Sequence, residues 1–356
     1  MAHLFQPLRL RSLELANRIA VSPMCQYSCI DGLANEWHLV HLGGRAVGKA
    51  ALVMAEATAV TPEGRISPKD LGIWSDEHIE PLERAFSFVA QQGSVPGIQL
   101  AHAGRKASTS EPWKGGRPLS PEESGWTPIF APSAIAFNEG FQVPNALTAA
   151  QIAGIAEAFA NAAKRAEAAG AKVVEIHSAH GYLLHSFLSP LSNHRHDEYG
   201  GSFENRTRAL REVITAVRKI WPEQYPLFVR ISASDWVDGG WTVEDSVALA
   251  KILKSSGVDV VDCSSGGAVP YAKIPMEPGY QVPFAQRIRA EAGIATGAVG
   301  MITDPAQADQ IIRTGQADLV FLARQLLREP YWPLHAARVL GHDIQWPSQY
   351  ERAKIK

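Results

Sequence analysis

Residues 174–190 read VEIHSAHGYLLHSFLSP, and within them His177 and His180 stand three apart with Tyr182 just behind. Three chemistries are open to such a pair: holding a metal, acting as a base, or donating hydrogen bonds to an oxygen. The metal reading describes a metal-dependent barrel hydrolase with His177 and His180 as ligands. A catalytic zinc needs about three protein ligands and commonly an acidic base, for which Glu175 or His102 are the candidates. Other chemistry-bearing residues close apolar runs elsewhere: Ser22-Pro23-Met24-Cys25 with Tyr27, Ala57-Thr58, Gln99 with His102, Arg230, Ser264, Gly300, and Ala323-Arg324. Each alone has an ordinary explanation, because a Cys is often a small buried hydrophobe and an Arg often half of an ion pair. Their joint placement at the ends of apolar runs points to one site.

Those runs are eight: RIAVSPM, ALVMAEA, GIQLA, KVVEIH, LFVRI, VDVVDCSS, ATGAVG and DLVFLAR. Amphipathic stretches separate them, including 148–169 behind the N-cap Thr148, 203–220, and 242–256, where Thr242 and Asp245 form a capping pair. Near-continuous apolar strands alternating with helices imply a parallel sheet covered by helices. Eight such units predict an α/β protein with a (β/α)8 TIM barrel, as a single domain over 1–356, whose chemistry lies at the C-terminal ends of the strands. Residues 1–18 precede the first strand and are expected to form a hairpin or arm closing the barrel's bottom. Two Gly- and Pro-containing connections, 101–147 after strand three and 265–282 after strand six, are long enough to be lids or binding loops.

Composition narrows the partners. Basic and acidic residues number 34 and 36 and are well mixed, a net charge of −2 that leaves no footprint for nucleic acid or an anionic membrane. The N-terminus MAHLFQPLRLRS lacks an apolar signal core, and no apolar stretch approaches the roughly 20 residues of a bilayer span. A cytoplasmic protein is expected. Cys25, Cys29 and Cys263 are too few for a disulfide framework or a four-cysteine metal site. Gly297, Gly300 and Ala323-Arg324 follow strands seven and eight, where barrels often hold a phosphate, and Arg324 can add a bidentate contact. GGRAVGKA at 43–50 has the spacing of a P-loop, but Ala50 replaces the required Ser or Thr and the segment reads as helix. No strand leads into GxGxxG, so a nicotinamide would have to visit the barrel rim itself.

PMCQY (23–27), QLAHAGRKA (99–107), HSAHGYL (177–183), SNHRHDEYGGSFENRTR (192–208) and the closing QYER (349–352) together resemble the old yellow enzyme family. The likeness runs essentially end to end, and is nearest to the subclass with a cysteine near the flavin, which includes xenobiotic reductases and thermophilic-like ene-reductases. The resemblance implies non-covalent FMN, NADPH as reductant, and a ping-pong transfer of hydride to enones, enals and nitroalkenes. It places Ser22, Pro23, Met24 and Cys25 along the isoalloxazine, Ala57 and Gln99 at its pyrimidine edge, Arg230 at its N1–C2=O end, and Gly300, Ala323 and Arg324 at the phosphate. Ala323 stands where close relatives often have Gly, which a negative φ would accommodate. His177 and His180 would bind the substrate oxygen, Tyr182 would supply the proton, Tyr27 a substrate-side hydroxyl, and Cys25 would modulate flavin potential. Arg352 resembles an arginine that reaches into a neighbouring subunit, implying a homodimer or homotetramer.

Overall fold

The structure is a computed structural model that describes residues 2–354. Eight strands, β1 (Ile19–Val21), β2 (Leu52–Ala59), β3 (Val95–Ala101), β4 (Val173–Ser178), β5 (Leu227–Ser232), β6 (Val260–Ser264), β7 (Ala295–Ala298) and β8 (Leu319–Leu322), pair in parallel around a closed barrel. Each overlaps one of the eight apolar runs, four of them extending one or two residues beyond it. The covering helices are α1 (Glu36–Val47), α2 (Ile79–Gln91), α3 (Ala149–Ala168), α4 (Phe203–Ile220), α5 (Val243–Ser255), α6 (Val282–Ala292), α7 (Pro305–Arg313) and α8 (Trp332–Val339). Helix starts follow the expected caps: Thr148 accepts from the Gln151 N–H at 3.3 Å, and Thr242 from the Asp245 N–H at 3.1 Å. The P-loop-like GGRAVGKA runs through the last turn of α1, so no phosphate cradle exists there.

Along each strand, alternate side chains enter the barrel. The lowest inward layer is apolar and includes Ala20, Leu52, Met54, Val173, Phe228, Val260 and Phe321. Each fully buried Phe or Leu in it contributes about 1.5–3 kcal/mol. The N-terminal hairpin, Leu8–Leu10 paired with Leu13–Leu15, adds Leu10 and Leu15 to this layer. Its turn is anchored where Arg11 Nε reaches Asp259 at 2.8 Å and Ser12 Oγ donates to the Gln224 carbonyl at 2.7 Å. Both partners precede a strand, so the hairpin plugs the barrel's bottom as the sequence implied. Gly297 serves packing rather than a phosphate: a Cβ there would lie 2.4 Å from the Phe321 ring.

Two residues up each strand the inward positions turn polar. Gln99 pairs with Glu175 and Arg230 with Asp262 in the strand register, and Arg230 also stands beside His177. One step higher, at the rim, are His177, Ser232 and Ser264. The 101–147 connection is not structureless: it carries short 3-10 turns at Gly104–Lys106, Pro112–Lys114 and Pro121–Glu123, and a ribbon pairing Phe130–Ala131 with Asn145–Ala146.

Candidate active site at the barrel mouth

β4 ends in His177-Ser178, and the chain then turns sharply so that His180 (φ +59°) and Gly181 (φ +75°) adopt the left-handed conformation. That turn brings three rings together: His177 lies edge-on to His180 at 5.2 Å and to Tyr182 at 4.9 Å between centroids. The turn's backbone is held throughout. The His180 N–H donates to Ser232 Oγ (2.9 Å), the Gly181 N–H to His185 Nδ1 (2.8 Å), and Ser186 Oγ to the Gly181 carbonyl (3.0 Å). Lys106 Nζ donates to the carbonyls of His180 and Gly267, both at 2.7 Å, tying the loops after β3, β4 and β6. Only glycine fits at 181 and 267, since a Cβ on Gly181 would lie 2.1 Å from the Gly267 oxygen.

The protonation states follow from burial. His177 Nδ1 accepts from the Ala179 N–H (3.2 Å), which puts the ring proton on Nε2. His180 Nε2 pairs with Ser264 Oγ at 2.7 Å. Burial, then the nearby Arg230 charge, holds both imidazoles well below the ordinary histidine value, so both are neutral at physiological pH. Burial, with the Cys25 and Asp70 fields, pushes the Tyr182 phenol well up, so it keeps its proton. Burial, followed by the Arg105 charge, pulls the Lys106 amine down to about 7.

Across the mouth, the loop after β1 carries Cys25 and Tyr27 (φ +50°). Glu56, buried at a bulge in β2, fixes this loop by accepting the Gln26 N–H at 2.6 Å, while His38 Nε2 stands 3.2 Å from its other oxygen. Burial and the Asp70 and Glu56 charges push the Cys25 thiol well above its ordinary value. Cys25 is therefore a thiol, not a thiolate nucleophile. Tyr27, its hydroxyl bonded to Cys25, is likewise pushed up and lies edge-on to Trp113 at 5.6 Å.

Between these walls the floor is charged. Arg230 Nε lies 3.1 Å from Asp262 Oδ2, and Gln99 Nε2 donates to Glu175 at 2.8 Å. Burial raises Glu175 to about 8 and Asp262 to about 6 against the opposing pull of Arg230. Ser22 Oγ, Arg230 Nε, Glu175 Oε2 and both Asp262 oxygens are buried without a well-formed hydrogen bond. Such groups call for polar partners. Beside Arg230 opens a cavity of about 270 Å³ lined by Ser264, Tyr280, Gly300, Ala323, Arg324 and Arg328, among others. Gly300 (φ +128°) has Tyr280 and Gln281 against its Cα, and Ala323 has φ −101°, so its methyl is accommodated without strain. The exposed Arg324 has no hydrogen-bond partner among the described residues and borders the same cavity. Free guanidinium, backbone and polar floor suit a flat, polar group carrying a phosphate tail.

Most of the residues named from the sequence thus gather at one mouth; Arg352, His102 and Gly297 do not take the places expected of them. Arg352 is exposed on the 3-10 turn Ser348–Ala353, which packs through Tyr350 on Tyr331, and it makes no hydrogen bond with the mouth. His102 is turned aside: its Nδ1 accepts the Gly104 N–H at 3.0 Å. Among the described residues no three His, Cys, Asp or Glu side chains converge to hold a metal. The sequence reading overlooked Lys106, Ser232, Asp262, Gln281 and His185. Asp262 was accessible in principle, lying two residues before Ser264 on one strand face, whereas Lys106 and His185 act across loops whose path the sequence does not show.

Fold and mouth together define a flavin-dependent (β/α)8 oxidoreductase. Residues 3–342 match the model of the NADH:flavin oxidoreductase / NADH oxidase family. NADPH dehydrogenase of Geobacillus sp. (strain WCH70) is 54% identical over 351 residues, 98% of both chains, and NADPH dehydrogenase of Bacillus subtilis (strain 168) is 50% identical over 351 residues, again 98% of both. Among solved structures, morphinone reductase superposes with a TM-score of 0.79 at 26% identity, covering 97% of this chain and 91% of that one. The chain belongs to this family, the FMN-dependent old yellow enzymes.

Proposed function

We propose that this enzyme uses NADPH to reduce the C=C bond of α,β-unsaturated carbonyl and nitro compounds, enones and enals among them, by a ping-pong mechanism. FMN, when bound, supplies the hydride chemistry, accepting from NADPH and giving to the alkene. Ser22, Pro23, Met24 and Cys25 would hold its ring, Ala57, Gln99 and Arg230 its pyrimidine edge, and Gly300, Ala323 and Arg324 its phosphate. The observation that carries the reading is the set of three rings at the β4 turn. His177 and His180 are neutral, and each retains one ring nitrogen, Nε2 and Nδ1 respectively, without a partner among the described residues. With Ser264 Oγ as the donor to His180 Nε2, both free nitrogens are N–H donors that stabilise the negative charge growing on the substrate oxygen, each worth a factor of about 10²–10³ in oxyanion-hole variants. Tyr182, protonated and 4.9 Å from the His177 ring, gives its proton to Cα. Tyr27 closes the substrate side, and Cys25, as a neutral thiol, tunes flavin potential and substrate fit.

The whole chain would act as one FMN-binding domain in a cytoplasmic homodimer or homotetramer, with Arg352 reaching the neighbouring subunit's site; its exposure supports that role. The expected preparation is yellow, bleaches with NADPH under anaerobic conditions, and recovers its colour with cyclohexenone. His177→Ala and His180→Ala should each slow recovery about 10²–10³-fold while flavin stays bound. A colourless protein carrying stoichiometric zinc, or flavin indifferent to enones, would overturn the proposal.

A further inference from the structure

His185 and Asp235 form a buried pair behind the β4 turn, lining neither the cavity nor the open mouth. Both side chains are 0% exposed, and His185 Nε2 lies 3.1 Å from Asp235 Oδ1. Asp235 is itself anchored, its Oδ2 accepting from Ser189 Oγ at 2.6 Å and from the Trp241 N–H at 2.8 Å. On the other edge of the imidazole, Nδ1 accepts the N–H of Gly181 at 2.8 Å. An Nδ1 that accepts carries no proton, so the ring is the Nε2–H tautomer, with that N–H on the side of the Asp235 carboxylate. The chain of contacts thus runs from the loop after β5, through the short helix Leu183–Leu188, to the one amide between His180 and Tyr182.

We propose that His185, with its tautomer set by Asp235, is a positioning residue that holds the His180-Gly181-Tyr182 turn in its reactive geometry. The requirement is physical. Gly181 is buried at φ +75° against the Gly267 carbonyl, and a side chain without an acceptor at 185 would leave its N–H unpaired. A buried N–H without a partner is unfavourable, and the turn relieves it by rotating the peptide. Rotation of that peptide moves His180 on one side and Tyr182 on the other. The His180 carbonyl and the Gly181 N–H are the two ends of one peptide, held by Lys106 on one side and by His185 on the other, so loss of His185 leaves that peptide anchored at its carbonyl alone.

The inference rests on the roles proposed above for His180 and Tyr182, and its test separates the two. Three holoenzymes are compared: wild type, His185→Leu, which removes the acceptor while keeping bulk, and His185→Asn, whose Oδ1 replaces Nδ1. Two quantities are read, hydrogen exchange of the Gly181 amide and the rate of flavin reoxidation by cyclohexenone. His185→Leu should raise Gly181 exchange at least tenfold and slow reoxidation at least tenfold, whereas His185→Asn should restore most of both. Equal behaviour of the Leu and Asn variants would show that His185 only fills space and would overturn the inference. A split in exchange without a split in rate would overturn it from the other side, by showing that His180 and Tyr182 do not need the turn.

Discussion

Replacing Arg230 with Met tests the charged floor most directly. Arg230 is buried near two carboxyls, with Asp262 at 3.1 Å and Glu175 on the adjacent strand β4, and it pulls both of their pKa values down. Removing one partner of a buried pair costs about 3–5 kcal/mol. With an unfolding entropy of about 2.1 cal/mol/K per residue, or about 0.75 kcal/mol/K for 356 residues, the flavin-free variant should melt about 4–7 °C lower at pH 7. The loss should depend on pH with a definite sign. Asp262 titrates at about 6 in the fold, above its ordinary 3.8, so its contribution to stability is present below 3.8 and is lost as pH rises through 6. Without the guanidinium its folded pKa is higher still, and the loss continues past the point where the wild type levels off. The gap between variant and wild type should therefore widen by about 1.4 kcal/mol, or about 2 °C, per pH unit above 6. Differential scanning fluorimetry of both apoproteins from pH 5 to 8 reads it. A gap below about 1 °C, or one that narrows as pH rises, would refute the ion-pair account.

Three further outcomes are expected. Tyr182→Phe should slow reduction of enones about 10²-fold or more in stopped-flow reoxidation, and slow nitroalkenes less because their nitronates need less acid help; equal slowing would remove Tyr182 as the proton donor. Gly267→Ala should cut turnover by about 10², the effect of a displacement of about 1 Å, because the new Cβ would lie 2.6 Å from His180 Cα at a φ of +89°; turnover within threefold of wild type would contradict the packed turn. With His177 and His180 neutral well below 6.5, turnover should show no imidazole titration near 6.5, and should decline above about 7 as Lys106 loses its charge beside the oxygen-binding pair. Lys106→Met should abolish that alkaline limb, and its persistence would assign the limb elsewhere.

The sequence by itself determined the barrel and the location of its chemistry. Eight apolar runs became eight strands because a parallel strand buried on both faces must be apolar almost throughout, a pattern visible without any contact being known. Caps at Thr148 and Thr242 were legible because they depend on residues three positions apart. The same locality placed Ser22–Cys25, Gln99, His177, Arg230 and Arg324 in or just after the C-terminal halves of the strands, hence around one mouth. Tertiary structure decided what local patterns cannot encode. The states of His177, His180 and Tyr182 come from burial and from charges on other strands. Lys106 has its low pKa because the fold buries it and sets the Arg105 charge nearby, both of which disfavour its protonated form. The packing role of Gly297 and the sideways turn of His102 likewise depend on Phe321 and on the backbone at Gly104. Residue types and spacing name the participants, but partners far apart in the chain set their protonation and aim, because electrostatic and packing energies depend on distance in space.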